Sequence, residues 1–236
     1  MNLKRHIPNA FTCGNLICGC LAIIQVFEGQ LSTAAYLVGM ALIFDFFDGF
    51  MARLLRVPSS IGKDLDSLAD MVTFGVVPGL VMYKLLSGIV YPSQMFPSCV
   101  PYFAFLIPLF SCVRLAKFNN DTRQSNSFIG LPTPSNAMVI CSIPLISKFQ
   151  GQPAILLNPY FLCLLSLIMS LLLVAEIPLF ALKFKSFRWP DNKLRFTFLA
   201  LSLILLATLQ FVAIPLIILL YILVSIVNNI FSKKKV

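Results

Sequence analysis

Long apolar runs separated by short polar turns constrain this chain more strongly than any other feature. Residues 11–27 form the first run, and residues 196–231 form one of 36 nearly apolar positions. A helix of about 20 apolar residues crosses the roughly 30 Å hydrocarbon layer of a bilayer. With 58% hydrophobic and 11% charged residues among 236, the chain lacks the polar surface of a soluble globular domain. We therefore predict an all-α polytopic membrane protein.

The apolar pattern also predicts where the helices lie. We expect them at about residues 11–27, 31–56, 60–86, 101–118, 131–147 and 158–182. The run at 196–231 is too long for one crossing, and Pro215 near its middle predicts two short spans joined by a minimal turn. The expected total is about eight transmembrane helices in one integral domain. That domain consists of a core at 1–185 and a C-terminal helix pair with a basic tail at 186–236.

The net charge of +9 follows from this topology. With the N-terminus inside and eight spans, every Lys and Arg except Lys84 and Lys148 lies on the cytoplasmic side. Cytoplasmic loops of membrane proteins carry an excess of Lys and Arg, so we expect both termini inside. The expected location is a bacterial-type cytoplasmic membrane. No soluble basic domain is predicted, so the partner is the lipid bilayer and not nucleic acid.

Acidic residues concentrate in one stretch of this apolar chain. Five of the nine Asp and Glu residues lie between Asp45 and Asp70. Asp45 and Asp48 are three apart, and Gly62, Asp66 and Asp70 are four apart, so each set shares a helical face. Four ionised carboxylates at membrane depth would cost roughly 10–14 kcal/mol without a compensating cation. Because Mg²⁺ and Mn²⁺ prefer oxygen ligands, the stretch predicts a divalent metal site.

The turn between the two acidic helices supports convergence. Val57-Pro58-Ser59-Ser60 ends the first helix and offers a serine cap to the second. Asp48 lies ten residues before Pro58, and Asp66 lies six after Ser60. At about 1.5 Å per residue, antiparallel helices would place the carboxylates at similar depths.

These residues resemble the signature of the CDP-alcohol phosphatidyltransferases. The matching pattern is Asp45-x-x-Asp48-Gly49-x-x-Ala52-Arg53, eight residues, Gly62, three residues, Asp66, three residues and Asp70. The resemblance implies a six-helix catalytic core and a reaction in which an alcohol attacks the phosphatidyl phosphorus of a CDP-linked lipid and releases CMP. It also implies a homodimer and two Mg²⁺ or Mn²⁺ ions.

Roles for individual residues follow from the same resemblance. Asp45, Asp48 and Asp66 are expected to bind metal, and Asp70 is expected to be both ligand and catalytic base. The residues expected to contact the CDP-lipid are Gly49, Ala52, Arg53 and Gly62. Taken alone, such small residues more often serve close helix packing in membranes.

The acceptor alcohol is predicted from a second group of residues. Arg114-Leu115-Ala116-Lys117-Phe118-Asn119 and Phe128-Ile129-Gly130-Leu131-Pro132-x-Pro134 resemble the serine-using branch of the family. The expected substrates are then CDP-diacylglycerol and L-serine, with Arg114 and Lys117 near the serine carboxylate. Glycerol 3-phosphate or inositol as acceptor stays open, and so does a purely topological role for both cations.

Two further questions stay open in the sequence. Intramembrane carboxylates also occur in ion-coupled transporters and cation channels, although the chain has no second copy of the acidic hairpin. Near the N-terminus, Pro8, Asn9, Thr12 and Asn15 either cap the first helix or lie near the nucleotide.

Overall fold

The computed structural model describes residues 6–57, 60–89, 99–121, 127–180 and 189–233. The α-helices in these ranges are α1 (His6–Phe27), α2 (Leu31–Leu54), α3 (Ser60–Asp70), α4 (Val77–Ser87), α5 (Leu106–Asn120), α6 (Thr133–Phe149), α7 (Pro159–Val174), α8 (Trp189–Leu209) and α9 (Ala213–Lys233). Two strands, β1 (Ser127–Ile129) and β2 (Pro178–Phe180), form a short ribbon. The predicted turn at Pro58 and Ser59 lies outside the described residues, and so does most of 87–100, the segment between the third and fourth predicted helices.

The membrane character of the fold is clear from its helices. Five helical segments of the described chain are long and apolar enough to span a bilayer, the last of them containing both α8 and α9. Large apolar side chains such as Leu21, Ile43 and Leu203 point outward and are exposed. An exposed apolar surface of this extent belongs in lipid. The chain is an integral, all-α membrane protein, and the exact number of crossings stays a prediction.

Small residues let α1 and α2 pack closely. Ala22 of α1 and Ala34, Ala35 and Ala41 of α2 are buried in one core cluster. Such residues bring helix backbones together in membranes. The same cluster continues into α4 and α6, so α1 and α2 are held against the centre of the molecule.

A π-helical segment interrupts the third predicted helix. Met71–Val76 lies between α3 and α4, immediately after Asp70. Such segments are rare and occur often at functional sites. Within it, a Cβ added to Gly75 would lie 3.2 Å from Ser111 Cβ. The missing side chain therefore lets α5 approach the helix that carries Asp66 and Asp70.

The sixth predicted helix ends earlier than expected. The apolar pattern predicts a helix to about residue 182, but α7 ends at Val174 and the chain continues into β2. Pro178 cannot donate a helical hydrogen bond and disfavours a helical residue before it. β2 instead pairs antiparallel with β1, with Ile129 opposite Pro178. This pairing was not predicted, because it joins residues about 50 positions apart.

Gly130 makes the junction of the ribbon with α7 possible. Its φ is +77°, and an added Cβ would lie 2.5 Å from Leu173 O. Its amide donates to Ile177 O at 3.0 Å, and the Leu131 amide donates to Leu172 O at 2.9 Å. The end of α7 and the ribbon are therefore joined through the main chain.

The C-terminal run contains two helices, α8 and α9, and the turn between them precedes Pro215. It lies at Gln210–Val212, and Pro215 occupies the first turn of α9, where proline is tolerated. Gln150 stabilises the turn, since its side chain donates to Leu209 O at 2.8 Å and accepts from the Val212 amide at 3.0 Å. This long-range contact could not be read from the local sequence.

Candidate active site

Three carboxylates converge where α2 meets α3. Asp45, Asp48 and Asp66 each offer an oxygen, and these oxygens lie within 4.8 Å of one another. Asp48 is 7% exposed and accepts a hydrogen bond from Thr12 Oγ1 at 2.8 Å. Asp66 Oδ1 is buried and has no hydrogen-bond partner in the described part of the chain. The two acidic helices therefore meet at one depth, as the spacing predicts.

The donor set fits a divalent cation. Two like charges 4 Å apart repel by about 4 kcal/mol at an effective dielectric constant of 20, and here three carboxylates share one partly buried site. An unpartnered buried carboxylate oxygen is costly unless it coordinates an ion or a donor. Oxygen-only ligands are those that Mg²⁺ and Mn²⁺ prefer. The triad can hold a metal ion.

Asp70 stands apart from the triad and is oriented by α1. It is 7% exposed, and its Oδ1 accepts a hydrogen bond from Asn15 Nδ2 at 3.0 Å. Thr73 Oγ1 in turn donates to Asn15 O at 3.2 Å. Asp70 still interacts electrostatically with Asp45 and Asp66. Its metal-binding role stays a prediction, and its fixed orientation suits a proton acceptor.

A first cavity, here called the α2–α3 cavity, opens beside the triad. Its volume is about 190 Å³. Its lining residues are Pro8, Asn9, Thr12, Asp48, Gly49, Ala52, Val57, Gly62, Lys63 and Asp66. Three of the four residues predicted to contact the CDP-lipid thus face one space. The fourth, Arg53, is exposed, and its Nη1 lies 3.6 Å from the position of a Cβ on Gly49.

A second cavity, here called the α5 cavity, lies at the end of α5. It measures about 370 Å³ and is lined by Arg114, Lys117, Asn120, Asp121, Ile129, Leu173, Val174 and Glu176. Both cations predicted for the acceptor therefore share one cavity with two carboxylates.

Arg114 connects the α5 cavity to Asp70. Its side chain is 6% exposed, and its buried Nε has no hydrogen-bond partner among the described residues. The guanidinium carbon lies 4.9 Å from the centre of the Phe118 ring, and Asp70 is its electrostatic neighbour. A buried guanidinium with an unused donor is positioned to receive an anionic group.

The contacts of Thr12 and Asn15, which the sequence left open as helix caps or residues near the nucleotide, and the position of Glu176 were not predicted. Thr12 and Asn15 bind Asp48 and Asp70, and neither acts as a helix cap. Their spacing of three residues on an apolar helix was a signal for a buried polar face. Glu176 was missed because the sequence placed it inside a helix, whereas it lies between α7 and β2.

Comparison with known proteins agrees with this geometry. A CDP-alcohol phosphatidyltransferase family model matches residues 5–177. A CDP-diacylglycerol–serine O-phosphatidyltransferase of Bacillus subtilis is 34% identical over 151 residues, which cover 64% of this chain and 80% of that protein. The enzyme of the same name from Helicobacter pylori is 36% identical over 146 residues, 61% of this chain and 59% of the relative.

An archaeal relative extends the comparison. An archaetidylserine synthase of Methanothermobacter thermautotrophicus is 31% identical over 150 residues, covering 63% of this chain and 61% of the relative. The chain therefore spans less than two thirds of the Helicobacter and Methanothermobacter proteins. The matched range 5–177 contains the triad, Asp70 and all lining residues of both cavities, the last of which is Glu176. The chain therefore belongs to the CDP-alcohol phosphatidyltransferase family.

Proposed function

We propose that this chain transfers the phosphatidyl group of CDP-diacylglycerol to the hydroxyl of L-serine, giving phosphatidylserine and CMP. The observation that carries the proposal is that Asp70 interacts electrostatically with Asp66, which lines the α2–α3 cavity, and with Arg114, which lines the α5 cavity. The α2–α3 cavity is lined by small residues and by two carboxylates of the triad, Asp48 and Asp66, and the lining of the α5 cavity includes four charged residues. The names of the relatives add serine as the acceptor.

The residues divide the chemistry between them. Asp45, Asp48 and Asp66, with Asp70 as a further ligand, would hold two Mg²⁺ or Mn²⁺ ions, and the charge of these ions would support transfer at the pyrophosphate. Asp70 accepts the proton of the serine hydroxyl, while the hydroxyl oxygen forms a bond to the phosphatidyl phosphorus. The bond from that phosphorus to the CMP oxygen breaks, and CMP leaves. Asn15 holds the carboxylate of Asp70 in place.

The small residues of α2 and α3 receive the cytidine diphosphate group. Gly49, Ala52 and Gly62 present no long side chain to the α2–α3 cavity. Arg53 lies over Gly49, within reach of a phosphate that enters there. A cation transporter with the same carboxylates would need neither the small residues nor the arginine.

The charges of the α5 cavity favour a zwitterionic acceptor. Arg114 and Lys117 offer positive charge, and Asp121 and Glu176 offer negative charge. The serine carboxylate can take two parallel hydrogen bonds from a guanidinium, and its ammonium group suits Glu176. A dianionic glycerol 3-phosphate would be repelled by both carboxylates. Uncharged inositol would offer no anionic group to the buried guanidinium of Arg114.

The orientation and assembly of the protein belong to the same proposal. The Asp cluster faces the cytoplasm of a bacterial-type membrane, with both termini inside and about eight spans, because this arrangement places most Lys and Arg residues inside. Residues 1–185 form the catalytic core, and 186–236 add the helix pair and the basic tail. The homodimer implied by family membership stays a prediction.

A pair of assays separates the transferase from the transporter. Purified protein in detergent should release CMP from CDP-diacylglycerol only when serine and Mn²⁺ or Mg²⁺ are both present, and Asp70→Asn should abolish this release. Cation flux into liposomes should equal that of empty vesicles. Flux that depends on Asp70, without serine-dependent CMP release, would overturn the proposal.

A further inference from the structure

The β1–β2 ribbon forms part of the wall of the α5 cavity. Ile129 at the end of β1 lines the cavity, and so does Glu176, two residues before β2. Ile129 pairs with Pro178 across the ribbon. The positions of these two lining residues therefore depend on where β2 lies.

The ribbon needs support from the rest of the protein. Each strand has three residues, and an isolated pair of strands is marginally stable at best. β1 pairs with one edge of β2, and immediately before β2 the Ile177 carbonyl accepts from the Gly130 amide on that same edge. Carbonyls alternate in direction along a strand, so those of Pro178 and Phe180 point to the opposite edge.

Helix α9 binds that opposite edge. Tyr221 Oη donates to Phe180 O at 2.8 Å, and Asn229 Nδ2 donates to Pro178 O at 2.5 Å. The Tyr221 ring also packs edge-on against Phe180, with centroids 4.9 Å apart. Tyr221 is only 8% exposed. Two side chains of α9 thus hold both outward carbonyls of β2.

We propose that α9, which lies beyond the family-matched residues 5–177, acts as a clamp that positions the ribbon wall of the α5 cavity for the acceptor. Tyr221 and Asn229 are positioning residues in this account, and they do not touch the substrate. The inference rests on the proposed function, because it takes the α5 cavity as the acceptor site. The role of α9 in substrate fit rests on its two side-chain contacts with β2.

The test combines Tyr221→Phe with Asn229→Ala, which removes both hydrogen bonds and keeps the packed ring. Ser225→Ala is the matched control, because Ser225 lies between them on α9 and donates only to Tyr221 O within the helix. We expect the KM for serine to rise about tenfold in the double variant. The KM for CDP-diacylglycerol should stay within about twofold of the wild type, and the control should match the wild type in both.

Hydrogen–deuterium exchange of a peptide covering residues 176–180 gives a second readout. The double variant should exchange faster there than the wild type and the Ser225→Ala control. Unchanged exchange, or an equal rise in both KM values, would overturn the clamp. If the wild type releases no CMP with serine, the proposed function fails, and the exchange comparison alone still decides whether α9 holds the ribbon. Tyr221→Phe alone replaces the double variant if the latter does not purify as folded protein.

Discussion

The α2–α3 cavity and the α5 cavity are built in different ways. The α2–α3 cavity comes from α1, α2 and α3, which follow one another in the chain. The α5 cavity combines the end of α5 with the ribbon and the end of α7, which lie far apart in sequence. On the first side, Asp48 has a hydrogen-bond partner in Thr12. On the second side, Arg114 Nε has none in the described structure.

In the proposed function, the α2–α3 cavity is the donor side and the α5 cavity is the acceptor side. The donor side is a local helical hairpin whose spacing fixes the geometry. The acceptor side depends on tertiary contacts. Its Arg114 Nε is a buried hydrogen-bond donor that has no partner in the described structure and can bind a ligand. Substitutions on the two sides should therefore affect different kinetic constants.

Loss of a triad carboxylate should have the largest effect. Asp45→Asn, Asp48→Asn and Asp66→Asn should each lower CMP release more than about 100-fold, since even residues behind metal ligands typically contribute 10–100-fold. Excess EDTA should abolish the activity of the wild type, and added Mn²⁺ should restore it. Asp64→Asn is the control, because Asp64 is exposed on the same helix and outside the triad. Full turnover by any of the three variants would remove that residue from the ligand set.

The next largest effect should separate the acceptor side from the donor side. Arg114→Ala should weaken serine use by about 2–5 kcal/mol, the usual loss for one partner of a buried charged pair. The KM for CDP-diacylglycerol should change little. Arg114→Lys should recover only a small part, because an ammonium cannot reproduce the planar fork. Equal damage to both substrates would place Arg114 in the donor site.

A substitution of Asn15 tests the role of Asp70. Asn15→Ala removes the hydrogen bond to Asp70, and a hydrogen bond to a charged group contributes about 1.5–3 kcal/mol. We expect kcat to fall accordingly, with both KM values near those of the wild type. Gln25→Ala on the same helix should have no effect, since Gln25 is partly exposed and the one hydrogen bond of its side chain in the described structure goes to Glu28. A change confined to KM would make Asn15 a substrate contact.

The smallest effect should come from filling the donor cavity. Ala52→Leu or Gly49→Leu should weaken CDP binding by roughly 1–3 kcal/mol, the usual cost of overpacking. Gly39→Leu is the matched control on α2, because nothing lies within 4 Å of a Cβ at that position. Titration with CDP in the presence of Mn²⁺ measures the effect. If all three variants bound CDP with equal affinity, Gly49 and Ala52 would serve helix packing and would not contact the nucleotide.

The part of the site that was predictable is the part that is local. The convergence of Asp48 and Asp66 follows from helical spacing on either side of one turn. The π-helical segment at Met71–Val76 could not be foreseen, because it depends on the close approach of α5 at Gly75. The place of Glu176 depends on a strand pairing that no local pattern encodes.

The membrane fold shows the same division. Helix positions follow from apolar runs, since each helix satisfies its own backbone in lipid. The turn between α8 and α9 was predicted at Pro215, but a long-range contact from Gln150 places it at Gln210–Val212. Proline was a sound indicator of a nearby break and a poor indicator of its position.

The most direct test of the account is a competition between acceptors. Purified protein receives CDP-diacylglycerol, Mn²⁺ and equal concentrations of serine, glycerol 3-phosphate and inositol, and the lipid products are identified by mass. The account predicts phosphatidylserine as the dominant product, because only serine matches both charge signs of the α5 cavity. A dominant phosphatidylglycerol phosphate or phosphatidylinositol product would contradict the central claim that this cavity selects a zwitterion.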